Sequence, residues 1–94
     1  MLVAQQTNLF SRQKRKLHPN QIKALDKAVR AIMSKPEIGK QKKGDLSSVR
    51  IHKFKIMQQE YLLAYQIKSK DRMILLALGS HENFYRDLKK VAKQ

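Results

Sequence analysis

Apolar residues fall at helical spacing in the first half of the chain and at strand-like density in the second. Ile22, Leu25, Val29, Ile32 and Met33 recur every third or fourth position, with Lys23, Lys27 and Arg30 between them. This stripe predicts an amphipathic helix that covers a sheet. Pro19 has no backbone donor and a φ preset for a first helical turn, so the helix starts near it, and Pro36 forces it to end beforehand. His18, just ahead of Pro19, reads as a capping or exposed residue. Upstream, Leu2, Val3 and Ala4 read as a short strand, and Thr7 or Asn8 caps a helix running to about Leu17. Its apolar positions, Leu9, Phe10 and Leu17, are sparse among Arg12, Lys14, Arg15 and Lys16. That places it on the surface with one edge attached. The stretch through Gly39 and Gly44 reads as a polar loop.

From Val49 the texture turns β-branched and aromatic, predicting strands over 49–56, 61–68 and 72–78 that pair antiparallel through hairpins. The second and third of these are apolar on both faces (Leu62, Leu63, Ala64, Tyr65; Ile74, Leu75, Leu76, Ala77) and therefore central. The 49–56 strand carries alternating polar residues and lies nearer an edge. Phe84, Leu88 and Val91 mark a short, basic closing helix. The resulting order, β-α-α-β-β-β-α, is an α+β fold with a mainly antiparallel sheet under a helical hairpin. At 94 residues it forms a single domain over 1–94.

Charge sharpens the picture. Twenty-one Lys and Arg against seven Asp and Glu give a net charge of +14, distributed along the chain and not confined to a tail. Such an excess favours a polyanionic partner, nucleic acid first. The absence of cysteine excludes disulfides and thiolate metal sites, and with no metal-ligand spacing or Gly-rich phosphate loop no metal or other cofactor is expected. The longest apolar run, 73–78, is far short of the about 20 residues that cross a bilayer, so a cytoplasmic protein with no membrane contact is expected.

Particular residues strengthen the order of elements. Pro36-Glu37-Ile38-Gly39 with Gly44-Asp45-Leu46, then Val49-Arg50-Ile51-His52, Glu60-Tyr61-Leu62-Leu63-Ala64-Tyr65 and Gly79-Ser80-His81-Glu82-Asn83-Phe84-Tyr85-Arg86-Asp87-Leu88 resemble successive segments of the RelE/ParE toxins of type II toxin–antitoxin systems. The resemblance is to the YafQ-like nucleases in particular, which carry a histidine in the second strand, a carboxylate before the third, and Gly-Ser/Thr-His closing the fourth. It implies an mRNA endonuclease working at the ribosome to stop translation, with His52, Glu60 and His81 as catalytic positions. A cognate acidic antitoxin is implied as partner. The Tyr85-Arg86-Asp87-Leu88 extension is more similar to the ParE and HigB branches, and ParE-type members poison DNA gyrase instead.

The chemistry fits the residue types. Metal-independent RNA cleavage needs a base for the 2′-hydroxyl, an acid for the leaving 5′-oxygen and cations for the phosphorane-like transition state. An imidazole with a pKa near 6.5 serves as either acid or base, which makes His52 and His81 candidates. Glu60 can orient a histidine or share in proton transfer, and Tyr85 can stack on a base or donate its hydroxyl. Arg50 shares strand parity with His52, whereas Lys53 and Lys55 take the opposite parity unless a bulge near Lys53 intervenes. Arg50, Lys53, Lys55, Lys42, Lys43 and Arg86 are the expected phosphate contacts, and Phe84, Leu88 and Val91 the expected antitoxin contacts. Against these stand a gyrase inhibitor of the same fold and a basic nucleic-acid-binding protein without catalysis.

Overall fold

The two most apolar segments form the centre of the sheet. In the computed structural model, which describes residues 3–41, 49–80 and 84, they are β4 (Gln59–Ser69) and β5 (Arg72–Ser80). Residues 62–65 are fully buried, so both faces of β4 are covered, as its unbroken apolar run requires. β3 (Arg50–Ile56) pairs antiparallel with one side of β4, and β5 with the other. β1 (Val3–Gln6) lies parallel to β5, and a two-residue strand, β2 (Lys40–Gln41), runs antiparallel to β3. The sheet order is β1-β5-β4-β3-β2. The mixed, mostly antiparallel sheet matches the expected fold class. β2 is an addition, within what the sequence marked as loop.

The helices are α1 (Asn8–Arg15) and α2 (Pro19–Ser34). Thr7 caps α1, its Oγ1 accepting from Phe10 N–H at 3.0 Å. His18 caps α2, its own N–H donating to Gln21 Oε1 at 2.7 Å, and Pro19 occupies the first turn. After α2 the chain makes a 3-10 turn over Pro36–Ile38. The helices cover one face of the sheet, where Phe10, Leu25 and Ile32 pack with Leu63, Tyr65, Met73, Leu75 and Leu78. Val49, Ile51, Leu62, Ala64, Leu76, Ala77 and Phe84 form a second buried cluster. By strand parity it lies on the other face.

Register explains how β5 serves both clusters. Ala64 lies opposite Ala77 and Tyr65 opposite Leu75, which leaves Leu76 as an extra residue in a bulge. β1 pairs with β5 only as far as Leu75, and beyond it side chains complete the edge. Thr7 N–H donates to Leu75 O at 3.1 Å, Thr7 Oγ1 donates to Leu76 O at 2.7 Å, and Leu78 N–H donates to Gln13 Oε1 at 2.7 Å. The backbone groups freed by the bulge are thus satisfied by α1, as burial demands.

No bulge intervenes near Lys53, so Lys53 and Lys55 keep the parity opposite to Arg50 and His52. Pairing between β3 and β4 runs without a shift from Arg50 opposite Tyr65 to Ile56 opposite Gln59. The physical reason is a tight two-residue turn at the hairpin, with Met57 at φ 55° and Gln58 at φ 92°, which fixes register with no residue to spare. The change of phase along 49–56 arises because Ile51 packs on one face and Ile56 is buried on the other.

Candidate functional site

Because β3 is regular, its side chains divide cleanly between the two faces of the sheet. Arg50, His52 and Phe54 lie opposite Tyr65, Leu63 and Tyr61, on the helix-covered face. Lys53 lies opposite Leu62, and Lys55 opposite Glu60, on the other face. Lys40 of β2 pairs with Ile51 and so joins the lysines' face. Lys40, Lys53, Lys55 and Glu60 are all exposed. With alternate residues about 7 Å apart along a strand, Lys53 and Lys55 present a short row of ammonium groups beside one carboxylate. In the sequence Lys40 is one member of a basic cluster with Lys42 and Lys43. Its place in this row depends on a strand too short to leave an alternation.

Phe84 belongs to the cluster that includes Ile51 and Leu62, the β3 and β4 neighbours of this row. An added Cβ on Gly79 would lie 3.9 Å from Phe84 Cδ1, so Phe84 packs beside the end of β5. Expected as an antitoxin contact, Phe84 is only 2 % exposed in the isolated chain, and a partner could reach it only by drawing it out of the cluster. His81, Tyr85, Arg86, Leu88, Val91, Lys42 and Lys43 lie outside the described residues.

The other face of β3 is differently used. The His52 ring stacks on Phe54 with centroids 6.1 Å apart and planes at 9°, and Phe54 in turn meets Tyr61 at 6.2 Å and 37°. Burial lowers the His52 pKa from the ordinary 6.5 by disfavouring the imidazolium. His52 and Glu60 therefore stand on opposite faces, and the structure does not bring them together.

Arg50, expected at phosphate, is engaged within the protein. Its Nη1 donates to Gly39 O at 2.9 Å and to Glu37 O at 3.4 Å. Beneath it the fully buried Tyr65 donates its hydroxyl to Pro36 O at 2.5 Å and accepts from Gly39 N–H at 2.9 Å. Burial raises the Tyr65 pKa, with the Gly39 hydrogen bond and the Arg50 charge acting against it. Gly39 is needed here because a Cβ would fall 2.6 Å from Tyr65 Oη. These contacts fix the 3-10 turn to the sheet and place Lys40. Between the turn and β3 runs an open groove of about 820 Å³, lined by Glu37, Gly39, Lys40, Arg50, His52 and Lys53 among others.

Residues 4–89 match the model of a family described as the ParE-like toxin of type II bacterial toxin–antitoxin systems. The fold is similar to the crystal structure of the intact E. coli RelBE toxin–antitoxin complex, at 22% identity and a TM-score of 0.69, covering 87% of this chain and 99% of that one. It is also similar to isolated E. coli RelE, at 22% identity and a TM-score of 0.68 over 87% of this chain and 86% of that one. An arginine-to-alanine double mutant of E. coli RelE in the free state gives 20% identity and a TM-score of 0.72, over 98% and 94%. No curated protein matches the chain by sequence.

Proposed function

Since this chain belongs to the ParE-like toxins of type II bacterial toxin–antitoxin systems, we propose that it is an endonuclease that cuts messenger RNA at the ribosome. The observation that carries this reading is the row of Lys53 and Lys55 beside Glu60, on the face where Phe84 packs. Two ammonium groups in a fixed strand geometry supply what the dianionic phosphorane requires. In the cleavage step the Glu60 carboxylate takes the 2′-hydroxyl proton as the 2′-oxygen attacks phosphorus. The bond to the 5′-oxygen breaks, and the His81 imidazolium protonates the leaving oxygen, giving a 2′,3′-cyclic phosphate and a free 5′-hydroxyl. Tyr85 stacks on a base next to the scissile bond. His52, on the opposite face, is a positioning residue of β3 and takes no part in proton transfer.

An antitoxin is the natural partner, as RelB is of the RelE toxin in the E. coli complex of similar fold. The net charge of +14 calls for an acidic one. A second reading is supported by the family description, which names ParE, and by the Tyr85-Arg86-Asp87-Leu88 extension. In that reading the chain inhibits DNA gyrase and cleaves nothing.

Expression without antitoxin separates the two. Primer extension should find transcripts cut inside translated regions, and His81→Ala should reduce cutting by at least about 10²-fold. Intact transcripts together with linear DNA trapped on gyrase would replace the nuclease with the gyrase reading.

A further inference from the structure

Lys53 belongs to two places at once. It stands in the exposed row with Lys55, and it lines the groove between the 3-10 turn and β3. That groove opens where the chain peels away from the sheet. β2 pairs with β3 only at Arg50 and Ile51, so residues 37–39 diverge from His52 and Lys53 beyond that pair. Its volume of about 820 Å³ lies within the range of about 300–1,000 Å³ usual for small-molecule sites, enough for one nucleotide.

The lining is divided in kind. Lys40 and Lys53 stand on the side away from the helices, Arg50 and His52 on the helix side. Glu37, the one carboxylate among the described lining residues, belongs to the helix side, where its charge acts on the Tyr65 hydroxyl. A phosphate is therefore drawn to the end of Lys40 and Lys53. His52 suits the other half of a nucleotide. One face of its ring stacks on Phe54, and the opposite face looks back along the strand toward Arg50. Among the described residues the imidazole has no hydrogen-bonding partner, and none of their buried side-chain nitrogens or oxygens lacks one, so its nitrogens open to solvent. Burial keeps the ring uncharged at neutral pH, which fits a base better than a phosphate. Arg50 makes both of its contacts through Nη1, which leaves Nη2 and Nε to a ligand. Aromatic rings and guanidinium planes are the surfaces on which single-stranded bases stack.

We infer that the groove is a second nucleotide subsite, in which an RNA strand passing Lys53 and Lys40 turns over the edge of β3 and stacks one base on His52. The inference rests on the proposed function for its ligand, single-stranded RNA, and adds a nucleotide beyond those held on the lysine face. Holding the strand at two points, on either side of β3, fixes which phosphate lies at the lysines. His52 positions the substrate and stays outside proton transfer.

The test measures binding of the full chain to a tetranucleotide of 2′-O-methyladenosine, which has no 2′-hydroxyl to attack and stays uncut. An abasic residue replaces each of its nucleotides in turn. At one position the loss of the base should weaken binding to the native chain by at least about fivefold, the usual consequence of removing one stacked base. His52→Ala should bind the intact probe at least about fivefold more weakly and lose nothing further at that position, while the costs at other positions persist. His52→Tyr, which keeps a stacking face, should bind as the native chain does. Native affinity in His52→Ala would overturn the proposal, as would abasic costs that are the same at every position in both chains. Adenosine monophosphate binding as tightly as the tetranucleotide would also overturn it, giving the groove to a free nucleotide. No cleavage is measured, so failure here removes the subsite alone, whereas the nuclease reading stands or falls on the cut transcripts.

Discussion

Tyr65 shows how a single hydroxyl can position a functional strand. Its ring fills the core between α2 and the sheet, and its Oη satisfies Pro36 O and Gly39 N–H, whose chain then continues into Lys40. Tyr65→Phe keeps the ring and strands both backbone groups. We expect a loss of about 1–3 kcal/mol in urea unfolding, the usual consequence of leaving buried polar groups unpaired. An unchanged midpoint would mean that water replaces the hydroxyl. His52 predicts a dependence on pH. Its folded pKa is lowered from 6.5, so the unfolded chain takes up the proton more readily. The associated stability is complete above 6.5 and is lost as pH falls through the lower folded value. Thermal melts should therefore show Tm declining below pH 6.5, and the decline should be smaller in His52→Gln. A Tm in the native chain that stays flat or rises over that range contradicts the burial argument.

Among the elements, the β3–β4 hairpin carries local strain. Two-residue turns with positive φ at both central positions favour Asn-Gly, and here Met57 and Gln58 occupy them. Met57→Asn combined with Gln58→Gly should stabilise the fold by about 1 kcal/mol, read as a higher urea midpoint at constant slope. A lower midpoint would show that the Met57 contact with Asn20 outweighs the backbone gain. This turn also marks a limit of sequence reading. The α2 stripe, Pro19, Pro36 and the apolar runs of β4 and β5 were legible, because periodicity and proline sterics act locally. The bulge at Leu76 was not, since the side chains that satisfy its backbone, Thr7 capping α1 and Gln13 within it, lie more than sixty residues away in sequence. The apolar pattern of β3 changes phase between Val49, Ile51 and Phe54, Ile56 without a bulge. In the structure the two faces simply use different members of that set. The carboxylate and lysines of the candidate site were visible as residue types, but their separation from His52 appeared only with register.

At the scale of the whole molecule, the positive charge produces a field with a face of greatest use. Lysines and arginines occur on every described element except β1 and the 3-10 turn, which should make binding to single-stranded RNA fall steeply with salt. A log–log slope of about −0.7 per phosphate neutralised is expected, and a flat titration would remove the electrostatic basis for a nucleic-acid partner. Non-specific attraction of this kind belongs to the entire surface, whereas the proposed cleavage belongs to one side of β3. The most direct measurement of that distinction is single-turnover cleavage of mRNA on programmed ribosomes, comparing Lys53→Met/Lys55→Met with His52→Gln. Loss of transition-state charge stabilisation should slow the lysine variant by at least about 10²-fold, while His52→Gln stays within about tenfold of the native rate. A lysine variant that cuts at the native rate, or a His52→Gln variant as inactive as the lysine pair, would contradict the assignment of cleavage to the face of Lys53, Lys55 and Glu60.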